Sequence, residues 1–315
     1  MSLLSQQKPS FTLGTRGSAL ALWQADHVQG LLEGAGFSVT QERIVTRGDK
    51  ILDKPLALIE GKSLFTKELD VALIEGRIDL AVHSLKDLPS ELPQGLTLAA
   101  ISPRENPHDA FVAHPAYNGT LEGLPEGAII ATSSLRRTAQ LKAWRPDLQV
   151  IPVRGNVDTR LAKLDASNWH GIVLAAAGLI RIGFADRIHT IFDRQLMLPA
   201  VGQGALGIVC AEAHADIAQL LATHLHDAQT AAAVRAERAF LKCLEGSCHV
   251  PVGGFAHWNE DGVLNLEGLV ASMDGREVVK GAIEVNPAHP EEAGTLLATQ
   301  LLAEGAGEIL QLVKL

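Results

Sequence analysis

The sequence predicts an α/β protein of two lobes, followed by a small separate α+β domain. A chain of 315 residues is longer than a typical domain with a single hydrophobic core, so two or three domains are expected. Along its first two thirds, short apolar runs lead into a Gly or Ser turn and then into a helical pattern, which is typical of sheets with mainly parallel strands. Near the carboxyl end, alternating strands with hairpin turns indicate a different, smaller unit.

Composition narrows the classes of function. The net charge of -9 argues against a protein that binds nucleic acid or an anionic membrane. No apolar run suits a signal peptide or a membrane span, so a cytoplasmic protein is expected. Three cysteines, an odd number in a long chain, favour free thiols in a reducing compartment: Cys210, Cys243 and Cys248.

The stretch from Asp79 to Pro89 has the strongest pattern in the first lobe. Its apolar run at 80–82 predicts a buried strand, and polar residues begin at His83. Ligands of open α/β sheets bind beyond the carboxyl ends of strands, which is where this pattern places Ser84, Lys86 and Asp87. The alternative is a Lys-Asp pair that only closes a surface loop.

Three further strand-turn-helix units predict the second lobe. Strands are expected at 129–131, 150–153 and 172–177, each followed by a Ser or Gly turn with arginines. The prolines at 103 and 107 mark the boundary before this lobe, and the Gly-rich stretch 198–206 is expected to cross back to the first. The predicted domains are residues 1–103 with 203–222, residues 108–198, and residues 226–315, the last ending in one helix over about 290–313.

Five turns of the predicted lobes carry a cation in or just past the turn. Arginine forks and free N–H groups at helix starts both favour carboxylate or phosphate, so turns at equivalent places predict a cleft for a polyanion. The cations are Arg16, Lys86, the pair Arg136 and Arg137, Arg154 with Arg160, and Arg181.

Cys248 lies between Ser247 and His249 in a Gly-containing loop. A neighbouring His favours a reactive thiolate, whereas the ordinary fate of a free cysteine is that of a small buried hydrophobe. A zinc site made with Cys243 and His249 is a further alternative, but the spacing is irregular and a fourth ligand is not evident. We therefore expect no metal.

Taken together, these motifs closely resemble the porphobilinogen deaminase (hydroxymethylbilane synthase) family. The resemblance runs from about residue 11 to about residue 254 in the order of the family. It is carried by residues 15–18 with 21–24, 62–69, 79–89, 132–137, 154–161, 198–206 and 244–253.

The resemblance implies a fold and a reaction. The first two domains would be built like the lobes of periplasmic binding proteins. A dipyrromethane cofactor would be held by a thioether to Cys248. Four porphobilinogen molecules would be deaminated and joined head to tail onto this primer, and hydrolysis would release hydroxymethylbilane for haem-type tetrapyrrole biosynthesis.

The resemblance also assigns roles to residues. Asp87 would be the catalytic carboxylate that stabilises the cation formed when ammonia leaves. The residues expected to bind the cofactor are Ser84, Lys86, Thr132, Ser134, Arg136, Arg137 and Gly178. Those expected to bind substrate or the growing chain are Arg16, Ser18, Lys62, Arg154, Arg160 and Arg181.

A second class of function fits the cations alone. A cytoplasmic anion-binding module of the same two-lobed fold would need the arginine turns but neither Asp87 nor Cys248. The resemblance instead favours a monomeric cytoplasmic transferase that acts on a small molecule.

Overall fold

The computed structural model describes residues 10–50, 66–244 and 250–313. Within these residues, the strands form two five-stranded sheets and one three-stranded sheet, with helices packed against them. This arrangement confirms the predicted fold class of two α/β lobes and a small α+β domain. The domain boundaries given above stay a prediction.

The helices and strands are as follows. The strands are β1 (Ser10–Thr15), β2 (Ser38–Arg43), β3 (Leu80–Ser84), β4 (Leu96–Ile101), β5 (Asp109–Ala113), β6 (Ile129–Ala131), β7 (Gln149–Ile151), β8 (Gly171–Ala175), β9 (Thr190–Ile191), β10 (Leu206–Ala211), β11 (Val252–Trp258), β12 (Leu264–Ala271) and β13 (Val278–Val285). The helices are α1 (Ala19–Gly34), α2 (Arg47–Lys50), α3 (Lys67–Ile74), α4 (Leu135–Trp144), α5 (Val157–Asp165), α6 (Ala176–Arg181), α7 (Ala215–Leu225), α8 (Ala228–Cys243), α9 (Pro290–Leu301) and α10 (Gly307–Val313).

The first sheet has the strand order β2-β1-β3-β10-β4. Strands β2, β1 and β3 are parallel, whereas β10 runs antiparallel to both of its neighbours. Apolar side chains of α1 and α7 cover one face of this sheet, and α3 and the start of α8 cover the other. Strand β10 follows the Gly-rich stretch, so the chain returns to the first lobe there as expected.

The second sheet repeats this arrangement with the order β7-β6-β8-β5-β9. Strands β7, β6 and β8 are parallel, and β5 is the antiparallel one. Helices α5 and α6 cover one face and α4 the other. In each lobe four strands therefore point one way, and the reversed strand is the one that enters from a hinge.

The third domain packs an antiparallel sheet, β11-β12-β13, against α8, α9 and α10. The prediction of a single helix over about 290–313 is wrong. The helix is interrupted at residues 302–306, because Gly305 has a φ of 103°, a left-handed conformation that a continuous helix does not contain.

Two chain segments cross between the lobes side by side. The backbone N–H of Ser102 donates to Leu206 O at 3.0 Å, and the N–H of Glu105 donates to Gly204 O at 3.1 Å. Gly204 has a φ of 93°, and a Cβ there would collide with the carbonyl of Glu105. Glycine at this position therefore lets the two crossing segments approach each other.

Glu237 on α8 is fully buried where these crossing segments meet the third domain. Its carboxylate accepts hydrogen bonds from the Arg104 guanidinium at 2.6 and 3.0 Å. It also accepts from the backbone N–H of Gly202 at 2.7 Å and of Ala256 at 2.8 Å. One carboxylate thus joins both crossing segments to β11.

We predict that Glu237→Gln will lower the free energy of unfolding by about 3–5 kcal/mol, because the buried Arg104 loses its counter-charge. Urea unfolding of the variant and the parent protein measures this loss. The matched control is Glu291→Gln, which removes the exposed Arg235–Glu291 ion pair between α8 and α9. The control should lose at most about 1 kcal/mol. Equal losses in the two variants would contradict the central position given to Glu237.

Candidate functional site

A cleft lies between the two lobes, beyond the carboxyl ends of β3 and β8 and against the second crossing segment. It encloses about 540 Å³, including the part open to solvent. Open α/β sheets bind ligands at such an edge. The lining residues include Leu20, Ser84, Lys86, Arg137, Val157, Arg160, Gly178, Arg181, Gln203 and Gly204.

The end of β3 delivers Ser84 and Lys86 to this cleft. Residues 80–82 are buried, and a short 3₁₀ turn over 85–87 carries the chain beyond the strand. Ser84 Oγ accepts a hydrogen bond from Gln24 Nε2 at 2.7 Å. Lys86 Nζ donates to Gln203 Oε1 at 3.2 Å. The exposed carboxylate of Asp87 follows Lys86 directly.

Serine and threonine hydroxyl groups accept hydrogen bonds at the N-terminus of helix α4, at the edge of the cleft. Ser134 is the N-cap, and its Oγ accepts from Arg137 N at 3.4 Å. Thr132 Oγ1 accepts from Ser134 N at 3.3 Å. These bonds set the first turn of α4 and so place Arg136 and Arg137.

Both arginines converge on Asp109, a fully buried residue at the start of β5. Arg136 Nη1 donates to Asp109 Oδ2 at 2.6 Å, and Arg137 Nη2 donates to Oδ1 at 2.6 Å. Gln203 Nε2 also donates to Oδ1, at 3.0 Å. Burial alone would raise the pKa of Asp109, but the two guanidinium groups and these hydrogen bonds outweigh it and hold that pKa well below its usual range. Asp109 is therefore ionised at neutral pH.

The two arginines differ in whether the guanidinium group lines the cleft, where a ligand could contact it. Arg136 also donates to the carbonyl of Leu198, and it is absent from the residues that line the cleft among those described. Arg137 donates to the carbonyl of Val173 at 2.9 Å and does line the cleft. The binding role expected of Arg136 stays a prediction, and the geometry favours Arg137 as the direct contact.

Arg160 and Arg181 enter the cleft from helices of the second lobe. Arg160 Nε donates to Gly155 O at 2.7 Å, and Arg181 Nη2 donates to Gly204 O at 2.7 Å. The Arg181 guanidinium also lies 5.3 Å from the ring centroid of Trp23 on α1. Its Nε is buried without a hydrogen-bond partner among the described residues, which is what a site for an anion would leave.

Burial dominates the electrostatics of these cations. It lowers the pKa of Lys86 to about 8, against the opposing carboxylates of Asp87 and Asp109. It lowers the pKa of Arg160 to about 10, and Arg137 adds to this effect. Burial likewise lowers the pKa of Arg181. In each case burial makes the charged form of the side chain less stable in the protein than in water.

The remaining predicted residues lie around the same cleft. Ser18 is the N-cap of α1, and its Oγ accepts from Ala21 N at 3.3 Å. Arg16 lies close enough to His83 to add to the burial that lowers the pKa of that imidazole to about 4. Arg154 similarly adds its charge beside Arg160. Gly178 on α6 lines the cleft opposite Leu20 of the first lobe.

Two predicted residues, Lys62 and Cys248, lie outside the described residues. Within the described residues there is no group of three His, Cys, Asp or Glu side chains that could hold a metal ion. The alternative zinc set includes Cys248 and His249, which are outside the described ranges.

The cleft is suited to a ligand with several negative charges. Four cations line it, and the lining residues among those described include no Asp or Glu: Lys86, Arg137, Arg160 and Arg181. They come from both lobes, and each has its charged form disfavoured by burial. A polyanion placed here would relieve both the burial cost and the mutual repulsion.

Asp109, Gln203 and Gln24 contact the predicted site residues, but the sequence did not identify them. Asp109 follows a proline-rich segment that indicated only a domain boundary, and it is 27 residues from Arg136. Gln203 is 117 residues from Lys86 and lies in a Gly-rich stretch that indicated a crossing and a family resemblance, but no role for this side chain. Since these contacts are made by tertiary packing, no spacing in the chain predicted them.

Fold and site together define a class: two α/β lobes that enclose a cationic cleft for a polyanion. The comparisons with known proteins give the family within that class. A family model described as "Porphobilinogen deaminase, dipyromethane cofactor binding domain" matches residues 11–219, and one for the C-terminal domain of porphobilinogen deaminase matches residues 231–303. The chain belongs to the porphobilinogen deaminase family.

Curated relatives agree over nearly the full chain. Porphobilinogen deaminase of Syntrophotalea carbinolica is 51% identical over 95% of this chain and 94% of its own length. Porphobilinogen deaminase of Syntrophomonas wolfei is 48% identical over 95% of this chain and 97% of its own.

Among solved structures, the methionine-binding protein MetQ matches 66% of this chain and 85% of its own, at 14% identity and a TM-score of 0.43. That likeness is distant, and the fold assignment rests on the strand orders above. In the described ranges no helix has the length and apolar character needed to cross a membrane.

Proposed function

We propose that this chain is a transferase that deaminates porphobilinogen and joins four molecules of it head to tail, releasing hydroxymethylbilane for haem-type tetrapyrrole biosynthesis. The observation that carries this proposal is the interlobe cleft lined by four cations, in a chain of the porphobilinogen deaminase family. The alternative of a module that only binds anions has no support in the comparisons.

The cleft fits the dipyrromethane group named by the family. Each pyrrole carries acetate and propionate, so the group would need several cations and hydroxyls. Ser84, Lys86 and Arg137 line the cleft and suit those carboxylates, and Thr132 and Ser134 begin the adjoining helix. The buried Nε of Arg181, which lacks a partner among the described residues, fits a site completed by an anion. When bound, the group supplies a primer onto which pyrrole units are joined, and we propose that a thioether to Cys248 holds it.

Arginines of the second lobe would hold the incoming carboxylates. Arg160 and Arg181 line the cleft, and Arg154 lies beside Arg160. Arg16 and Ser18, at the start of α1, would bind from the first lobe. Lys62 is proposed for the same task from the family resemblance alone.

Asp87 would stabilise the positive charge that forms when ammonia leaves porphobilinogen. Its carboxylate is exposed beside Lys86, and it is close enough to Arg160 to oppose the effect of burial on that pKa. Among these residues, a carboxylate is the group that can attract a developing cation or hold a proton. The proposal also includes a monomeric cytoplasmic enzyme with the three domains given above.

We predict that Cys248→Ser will yield a folded chain that lacks the mass of a covalently attached dipyrromethane, because serine cannot form the thioether. Intact mass spectrometry of the purified protein measures the adduct. Cys210→Ser and Cys243→Ser are the matched controls, since Cys210 is buried in the first sheet and Cys243 ends α8. An adduct retained in Cys248→Ser, or an unmodified parent chain, would contradict the proposal.

We predict that Asp87→Asn will keep the fold and the adduct but slow release of ammonia by roughly a hundredfold or more, because it removes a charge that the transition state needs. Single-turnover assays with porphobilinogen measure the deamination step. The control is Asp165→Asn, which removes an exposed carboxylate paired with Arg187 in the second lobe. Near-normal deamination by adduct-bearing Asp87→Asn would rule out the catalytic role.

A further inference from the structure

The side chain of Gln203 is buried where the two lobes and both crossing segments meet, with 1% of its surface exposed. Its carbonyl oxygen accepts a hydrogen bond from Lys86 Nζ at 3.2 Å. Its amide nitrogen donates to Asp109 Oδ1 at 3.0 Å and to the carbonyl of Pro107 at 2.7 Å. All the polar atoms of this amide are therefore used.

The partners leave the amide one chemically sensible orientation. The carboxylate of Asp109 and the carbonyl of Pro107 only accept hydrogen bonds, whereas the ammonium of Lys86 only donates. A flipped amide would set its oxygen against two acceptors and its NH₂ against the ammonium. The ionised Asp109 therefore turns the carbonyl of Gln203 toward Lys86.

The backbone of Gln203 is held as well. Its N–H donates to Ala200 O at 3.0 Å, and its carbonyl accepts from Arg104 Nε at 2.8 Å. Arg104 is in turn paired with the buried Glu237. The amide that faces Lys86 thus projects from a backbone that is itself fastened to the third domain.

We propose that Gln203 is a positioning residue that holds the Lys86 ammonium, charged, at one place in the cleft. The inference rests on the proposed function, because Lys86 matters for catalysis only if it binds the carboxylates of the cofactor. The side chain of Gln203 joins a lysine of the first lobe to an aspartate of the second. The position of the Lys86 ammonium therefore depends on how the two lobes meet.

A neutral acceptor suits this position better than a carboxylate. The groups that face Lys86 are Asp87 on its own turn, Arg136 and Arg137 from α4, and Asp109 from β5. A carboxylate in direct contact with Lys86 would neutralise the charge that a ligand needs. The amide oxygen of Gln203 instead stabilises the ammonium and leaves its positive charge for the ligand.

The test is the titration of Lys86 in the purified holoenzyme, followed by NMR of protein labelled with ¹³C at the lysine Cε. The signal of Lys86 is assigned by its loss in Lys86→Arg. We expect the pKa of Lys86 in Gln203→Met to lie about one unit below that of the parent holoenzyme, because the charged form loses one hydrogen bond. Gln203→Glu should raise that pKa, because a carboxylate favours the ammonium.

The matched control is Gln140→Met. Gln140 is also buried, and its side-chain amide is also hydrogen-bonded within the protein. It donates to Leu198 O at 3.1 Å and accepts from Leu198 N at 2.7 Å. It should lose similar stability and leave the titration of Lys86 unchanged. Because this measurement needs no turnover, it distinguishes failure of the positioning role from failure of the proposed function.

Shifts of opposite sign in the two Gln203 variants would support the proposal. The same pKa of Lys86 in Gln203→Met and Gln140→Met would overturn it. Failure of both Gln203 variants to fold, with Gln140→Met folded, would make Gln203 a structural residue and would also overturn it.

Discussion

The buried carboxylate of Asp109 is the interaction on which the cleft depends. It accepts hydrogen bonds from Arg136, Arg137 and Gln203 while being fully buried itself. A buried guanidinium without a counter-charge is strongly destabilising, so Asp109 is what allows α4 to begin with two arginines inside the second lobe. One carboxylate against two guanidiniums also leaves a net positive charge, and this excess is available to a ligand.

The same design appears a second time at the crossing segments. Glu237 neutralises Arg104 and binds two backbone N–H groups, as Asp109 neutralises the arginines of α4. Gln203 connects the two, because its side chain binds Asp109 and its carbonyl binds Arg104. Arg104, Arg136 and Arg137 therefore have carboxylate partners, whereas Arg160 and Arg181 bind backbone carbonyls and have no bonded carboxylate among the described residues. Arg137 lines the cleft while it is paired with Asp109, so it serves both the framework and the cationic cleft.

Local sequence patterns predicted the strands, turns and helix starts whose conformation is determined by neighbouring residues. The apolar run before His83 gave the strand, and the turn after it brought Lys86 into the cleft. The helix expected after the Ser turn is α4, and Ser134 of that turn is its N-cap. Asp109 and Gln203 could not be predicted, since their partners are brought together by tertiary packing. The break at Gly305 was also missed, because a glycine inside an apolar helical pattern does not by itself reveal a positive φ.

A crystal structure of the purified protein, with the intact mass measured on the same sample, would test the role claimed for the cleft. The claim is that carboxylate-rich pyrroles are held by cations of the interlobe cleft that Asp109 and Gln203 keep in place. We expect density for two pyrrole rings joined to Cys248, with carboxylates within hydrogen-bond distance of Lys86 and Arg137 and with Asp109 still paired to both arginines. A mass that includes the adduct, together with pyrrole rings bound outside this cleft, would contradict this claim.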